Sequence, residues 1–447
     1  MGGRQHTSGV VFAIFFFIGI GSSLPWNVFI TAQAYFQHRL SGTTYEDSFL
    51  NWFSMAFNVS TLMTMLIRTT VIADRMASAV RTVLFSLVVI MGVISMHCAW
   101  TRMPEFHGYS FFYTTMMSII LVACASTLMQ EGLLRIVATF PPRYTQAVVS
   151  GQSFAGLAVS LSNMIILWAG EDDSKFFYGL HANADLCALL YFVLVFITLV
   201  LCLLSFAVLT RMQLFRHYQK VDHPGHNPKI YFDDASSEAD TVDASDASPR
   251  KRLLDGEDDL EDTGDKVDML EIAFKIRFYV IATFFIFIVT LGIFPGITSM
   301  IKSMHPERGV LFDQLFTPFT LVLFNASDFV ARLSASWWPT LGQKRVLLVS
   351  IERLLFFPLL MLCNLQNKSH EVITKVVFRS DVLAILFIAG CAFSNGLLCA
   401  LAFMEYPNLL HKNAEKELGG SIIFFVLSLG LTGGSLMSFV LRAMLKP

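Results

Sequence analysis

Apolar residues run along this chain in long blocks, and the polar residues collect at the joints between them. A block of about 20 mainly apolar residues spans a bilayer as one helix, so each block predicts a membrane crossing. Six crossings are expected at Val10–Phe36, Leu50–Ala73, Thr82–Thr101, Tyr109–Leu134, Gln146–Ala169 and Cys187–Leu214. Five more are expected at Ala273–Ser303, Leu311–Trp338, Val346–Cys363, Val382–Met404 and Leu418–Leu445. The pattern predicts an all-α membrane protein with eleven transmembrane helices arranged six plus five. The first block runs without a clear small-residue cleavage site into Pro25 and Trp26, so it reads as a retained helix and not a cleaved signal.

Between the two sets the pattern fails. From about His217 to Val267 there is no sustained period, few aromatics and a cluster of Asp, Glu and Ser, too little apolar surface to repay the entropy of ordering. The expected organisation is an N-terminal six-helix bundle over 1–216, an acidic disordered cytosolic loop over 217–272, and a C-terminal five-helix bundle over 273–447.

Composition supports this division. Of the 447 residues 54% are hydrophobic and only 15% charged, with 42 Phe, an apolar surface no soluble fold of this size hides. The net charge of −2 conceals a split, because Val221 to Glu271 hold 16 acidic and 5 basic residues. The remaining body is therefore basic, which suits residues facing anionic membrane lipid. It has no concentrated basic face, so nucleic acid is not an expected partner. The seven cysteines lie in or beside apolar blocks and form neither a disulfide framework nor a CxxC metal spacing. No GxSxG, HExxH, Walker A or kinase motif is present, so no enzymatic activity, cofactor or metal is expected.

Arg211, Arg216, Lys220, Lys275 and Arg277 flank the acidic segment and lean the topology toward a cytosolic N-terminus and an extracellular C-terminus. The sequon Asn367-Lys368-Ser369 then falls in an exterior loop, where Asn367 is a glycosylation candidate. The sequons at Asn58 and Asn325 lie inside predicted helices and are not expected to carry glycans. The default membrane is the plasma membrane, with an intracellular membrane as the alternative.

Polar residues within the blocks carry the functional signal, since an ionisable group at a helix centre costs at least about 2.5–3.5 kcal/mol and calls for a partner or a wet cavity. Asp328 and Arg332 stand four apart in the eighth predicted helix, so they share a face that cannot point at lipid. A carboxylate beside a forked guanidinium suits the hydroxyls of a sugar; a structural ion pair locking two helices is the other reading. Gln130 offers both a donor and an acceptor to a nucleobase edge, or to a neighbouring helix. Its neighbour Glu131 is either a proton-coupling carboxylate or a neutral buried acid.

In the first helix Gly21-Ser22-Ser23-Leu24-Pro25-Trp26-Asn27 places a helix breaker beside an aromatic, a pattern for a packing kink with a core Trp or for a broken helix at a substrate site with Trp26 able to stack on a ring. Gly292-Ile293-Phe294-Pro295-Gly296 predicts a second kink. Arg81 or Arg75 is expected to pair with Glu417 across the inner mouth, or each to lie at the interface. Arg68, Glu352 and Arg353 sit near helix ends and read as snorkelling; His97 and His107 read as interfacial. The glycines of the fifth and eleventh helices predict close packing.

These motifs, taken in order, resemble the equilibrative nucleoside transporter family (solute carrier family 29). The likeness rests on Leu24-Pro25-Trp26-Asn27, Gln130, Ser150-Gly151-Gln152 with Ala155-Gly156, and Phe294-Pro295. It continues through Phe324-Asn325, Asp328 and Arg332, Ala392-Phe393-Ser394-Asn395-Gly396, and Leu429-Gly430-Leu431 to Arg442-Ala443. The acidic loop is not covered. The resemblance implies a major-facilitator-like fold and a nucleoside substrate carried down its gradient by alternating access, without cofactor, by a protein functional as a monomer. It implies ribose on Asp328 and Arg332, base near Gln130 and Trp26, and Ile30 and Leu431 lining the cavity. It further implies that Asn27, Arg81 and Glu417 stabilise a closed inner gate and that Pro295 and Asn325 act near the outer one. Glu131, Ser23 and Ile30 depart from the family pattern. A proton-coupled nucleoside or nucleobase carrier using Glu131 is the alternative, and a membrane receptor or scaffold acting through the acidic loop a more distant one.

Overall fold

The structure, a computed structural model, describes residues 2–46, 48–70, 78–169, 184–219, 269–366, 372 and 375–444. The acidic segment, Arg75 and Asn367 lie outside them. The described chain is helical almost throughout. The first group of helices is α1 (Gly2–Thr31), α2 (Gln33–Arg39), α3 (Phe49–Thr70), α4 (Ala79–Trp100), α5 (Gly108–Ala138), α6 (Pro142–Ala169), α7 (Ala184–Arg211) and α8 (Gln213–Gln219). After the acidic segment come α9 (Met269–Lys275), α10 (Arg277–Ile293), α11 (Phe316–Ser334), α12 (Gln343–Glu352), α13 (Phe356–Met361), α14 (Asp381–Glu405) and α15 (Asn413–Met444).

Among the described residues, eight helical stretches are long and apolar enough to cross a membrane: those of α1, α4, α5, α6, α7, α10, α14 and α15. Three of the eleven expected crossings are not among these stretches. Helix α11 contains Asp328 and Arg332. The ninth expected helix is divided, a 3-10 turn at Arg353–Leu355 separating α12 from α13. The chain is thus an all-α, multi-spanning protein.

Helix α1 packs along α6 and α7, α4 on α5 and α7, and α3 on α5. Beyond the acidic segment α10 packs along α15 and α12, and α11 along α14. The two sets meet where α6 touches α11 and α14, and where α15 touches α3 and α5. Small residues permit the closest approaches. A Cβ on Gly151 would collide with the Phe16 carbonyl of α1, and one on Gly396 with the Asp328 carbonyl of α11.

Several sequence expectations change here. Helix α1 continues through Pro25 without a break, whereas α10 does end at Ile293 before Pro295. His97 is not interfacial: it is fully buried, packed among Phe29, Phe36, Trp100 and Phe192, with Nε2 at 2.8 Å from the Ser118 hydroxyl. Arg353 does not snorkel. It is 2% exposed, and its guanidinium donates to the carbonyls of Ile286 (2.8 Å) and Cys391 (3.2 Å) and to the hydroxyls of Thr290 (2.8 Å) and Ser394 (3.1 Å). Arg68 is likewise buried, because a carboxylate waits for it inside the bundle, as described below.

Candidate functional site

A cavity of about 830 Å³ lies where the two sets of helices face each other, within the range of about 300–1,000 Å³ typical of small-molecule sites. Its floor holds Asp328 and Arg332, its walls Gln130, Gln152 and Phe424, and its far reach Gln37, Asn163 and Ala184. Every residue expected to bind substrate lines it: Trp26, Ile30, Gln130, Asp328, Arg332 and Leu431.

Asp328 and Arg332 meet as the i to i+4 spacing requires. Arg332 Nε donates to Asp328 Oδ2 at 2.8 Å, and Nη2 approaches Oδ1 at 3.4 Å. The carboxylate also accepts from Ser153 Oγ on α6 (2.5 Å) and from Asn395 Nδ2 on α14 (2.6 Å). Both charged side chains are nine-tenths buried yet border the cavity. In such surroundings a hydrogen bond to an ionised group is stronger than a neutral one, and its geometry is fixed before a ligand arrives.

A second layer holds this pair. Asn395 spends its amide N–H on Asp328, and its carbonyl oxygen lies 2.7 Å from the Thr290 hydroxyl. Thr290 in turn accepts from Arg353. The Thr290 hydroxyl, whose hydrogen is shared between Asn395 Oδ1 and the Ile286 carbonyl at 2.7 Å each, links the Arg353 guanidinium to Asn395 and so to Asp328. Arg353 does not line the cavity, yet it fixes the rotamer of a residue that touches Asp328.

On the opposite wall Gln130 Nε2 donates to the Ser22 backbone carbonyl at 3.2 Å, which fixes the orientation of its amide because a carbonyl only accepts. The Ser22 hydroxyl donates to the Gly19 carbonyl (2.8 Å), so it serves as acceptor for Gln152 Nε2 (3.3 Å). Both glutamines therefore direct an amide hydrogen into α1, and their side-chain oxygens have no donor among the described residues. Trp26 packs against Phe57 with ring centroids 4.4 Å apart, and the two form an aromatic corner of the same cavity.

Below the floor the helices are sealed by charge. Glu131 is fully buried; its carboxylate accepts from the Ser421 hydroxyl (2.5 Å) and lies 3.7 Å from Arg135 and 3.9 Å from Arg68. Arg135 Nη2 also meets Glu417 Oε2 at 2.8 Å. Two acids and two bases from α3, α5 and α15 thus balance one another. Nearby, Gln146 Nε2 on α6 donates to two carbonyls near the end of α11, Arg332 (3.1 Å) and Leu333 (2.7 Å).

The expected gate residues do not all gather in this layer. Glu417 does, but its partner is Arg135, while Arg81 is exposed. Asn27 instead lines the cavity and donates to the Ser23 carbonyl at 3.0 Å. Asn27 lies five residues beyond Ser22 on α1 and Arg135 five beyond Gln130 on α5. Successive crossings run in opposite directions, so the Gln130–Ser22 contact separates the two by roughly 15 Å along the bundle. Pro295 and Asn325 both line the cavity, and Asn325 Oδ1 fills the space above Gly156, where a Cβ would come within 2.8 Å of it. Glu131, read from sequence as a proton site or a neutral acid, sits between two arginines. Ser153 and Arg135 were not singled out by sequence reasoning, and Asn395 entered only within a motif of the family resemblance; Arg135 repeats with Glu131 the same four-residue acid–base spacing as Asp328 and Arg332.

A multi-spanning helical protein whose buried acid–base pair opens on a largely apolar cavity between facing helix sets has the build of a membrane carrier. Its fold is similar to that of the proton:xylose symporter XylE of the major facilitator superfamily, with a TM-score of 0.58 and 11% identity over 97% of this chain and 87% of the other. The sequence pattern of the family described as Nucleoside transporter matches residues 116–443. Human equilibrative nucleoside transporter 1 is 30% identical over 98% of both chains. The nucleoside transporter FUN26 of Saccharomyces cerevisiae is 25% identical over 98% of this chain and 85% of its own. The chain belongs to the nucleoside transporter family.

Proposed function

We propose that the protein carries nucleosides across a membrane down their concentration gradient, by alternating exposure of the cavity floored by Asp328 and Arg332. The observation that carries this reading is the placement of that pair: charged, buried and hydrogen-bonded, yet on the surface of a cavity wide enough for a nucleoside. Ribose hydroxyls both donate and accept, so one sugar engages the carboxylate and the guanidinium together. The base then reaches the wall of Gln130 and Trp26, with Ile30 and Leu431 supplying apolar contact.

The cavity extends away from the Glu131, Arg135 and Glu417 layer, so this conformation is closed at the end holding Glu417. We assign that end to the cytosol, with a cytosolic N-terminus and an extracellular C-terminus in the plasma membrane. In this reading eleven crossings form an N-terminal bundle over 1–216 and a C-terminal bundle over 273–447, linked by the acidic segment, and a single chain is the working unit. The ion-pair layer, with Glu417, serves as the inner gate; Pro295 and Asn325 act at the outer one. Asn367 remains the proposed glycosylation site.

The proton-coupled alternative has less support, because Glu131 lies in the layer with Arg68, Arg135, Glu417 and Ser421 and does not line the cavity. Flux of labelled uridine and adenosine into proteoliposomes, with and without a pH gradient, tests the proposal. Equilibration without accumulation is expected under both conditions. Accumulation above equilibrium driven by protons contradicts the passive mechanism, and absence of nucleoside flux contradicts the substrate.

A further inference from the structure

Asp328 has no vacant place for a ligand. A carboxylate offers about four acceptor positions, and here four donors approach it: Ser153 Oγ and Arg332 Nε on Oδ2, Asn395 Nδ2 and Arg332 Nη2 on Oδ1. A sugar hydroxyl that binds Asp328 must therefore displace one of them. Three are held elsewhere. Asn395 is fixed through its carbonyl oxygen on Thr290, and the Arg332 guanidinium, one turn away on the same helix, also reaches the Val149 carbonyl (3.5 Å) and Cys399 Sγ (3.6 Å).

Ser153 is different. Its hydroxyl lines the cavity and makes no other hydrogen bond among the described residues. It turns about a single side-chain torsion, and the carbonyl four residues earlier in a helix is an acceptor that a serine hydroxyl can share with other donors. For Ser153 that carbonyl belongs to Val149.

We infer that Ser153 is a specificity-determining residue: its hydroxyl occupies the Asp328 oxygen that a ribose hydroxyl takes, and sugar binding exchanges one donor for the other. This rests on the nucleoside transport reading and deepens it. In the wild-type protein a ribonucleoside gains a bond to Asp328 only by breaking the one from Ser153, whereas a deoxynucleoside leaves the Ser153 bond in place. The exchange therefore compresses the difference between the two sugars and leaves the carrier tolerant of both. It also removes a hydrogen bond between α6 and α11, so the sugar loosens one contact between the two helix sets as it binds.

The experiment is competition of uridine against 2′-deoxyuridine and 3′-deoxyuridine in proteoliposome flux, for wild type, Ser153→Ala and Ser153→Cys. Without the serine donor, a deoxy sugar leaves a buried acceptor unsatisfied, and that loss is worth about tenfold for a bond to a charged group. Ser153→Ala is expected to raise the preference for uridine over at least one deoxy analogue about tenfold, and Ser153→Cys, a weak donor of similar size, by less. Unchanged ratios in whichever of the two variants carry uridine overturn the proposal, as does loss of uridine flux in both when both are incorporated normally. Wild-type vesicles that carry no uridine overturn the transport reading itself, an outcome visible before any variant is compared.

Discussion

Arg135 Nη2 stands 2.8 Å from Glu417 Oε2 and Nη1 stands 3.7 Å from Glu131 Oε1, so one guanidinium ties α5 to α15 beneath the cavity. Removing one partner of a buried ion pair costs about 3–5 kcal/mol, and less for the Glu417 contact, whose carboxylate side is 28% exposed. Arg135→Ala is expected to weaken the seal and shift the protein toward the conformation in which the cavity is closed at its opposite end. Cys187, a native cysteine lining the far reach of the cavity, reports this shift. Its labelling by a membrane-impermeant thiol reagent on intact cells should fall several-fold in Arg135→Ala, whereas unchanged labelling would count against the gate.

Glu131→Gln removes the carboxylate that faces both Arg68 and Arg135. The same fall in Cys187 labelling is expected, together with nucleoside uptake that stays insensitive to an imposed pH gradient. A pH-driven uptake present in wild type and lost in Glu131→Gln would instead make Glu131 the proton site.

Arg353 acts at a distance from the cavity through Thr290 and Asn395. Lysine keeps the charge but loses the fork that reaches two carbonyls and two hydroxyls. Arg353→Lys should therefore lower thermal stability by about 1–3 kcal/mol, the cost of buried groups left without partners, and raise the KM for uridine with normal surface expression. A variant with wild-type stability and KM would show that the chain of donors does not position Asp328.

Gln130 and Gln152 present side-chain oxygens to the cavity because Ser22 takes an amide hydrogen from each. A base that offers a donor at its edge is expected to bind better than its analogue without one. Purine riboside, which lacks the exocyclic amine of adenosine, should compete less well by about 2- to 10-fold, one neutral hydrogen bond being worth about 0.5–1.5 kcal/mol. Gln130→Leu should erase that difference; a difference that survives would move the base elsewhere in the cavity.

Much of this design could be read from the chain because the membrane penalises polar residues. Asp328 and Arg332 stood out as a charged pair on one helix face, and Trp26, Gln130, Ile30 and Leu431 all line the cavity where that pair lies. What depends on the meeting of distant helices was not legible. Arg68 and Arg353 look like helix-end arginines until α3 is brought to Glu131 and α12 is brought to α10 and α14. Ser153 is one hydroxyl among many in α6, and only the arrival of α11 beside it gives it a carboxylate. From sequence Glu417 had Arg81 or Arg75 as candidate partners, or an interfacial place of its own, and it is Arg135 that it meets.

Asp328→Asn, assayed for uridine KM in proteoliposomes with matched protein incorporation, asks most directly whether the buried pair holds the sugar. The substitution keeps the shape but leaves Arg332 without its counter-charge and turns a charged acceptor into a neutral one. Loss of a hydrogen bond to a charged group is worth about 1.5–3 kcal/mol, so KM should rise roughly 10- to 150-fold. A variant that is incorporated normally and carries uridine with wild-type KM would show that Asp328 is a structural lock and that the substrate binds elsewhere.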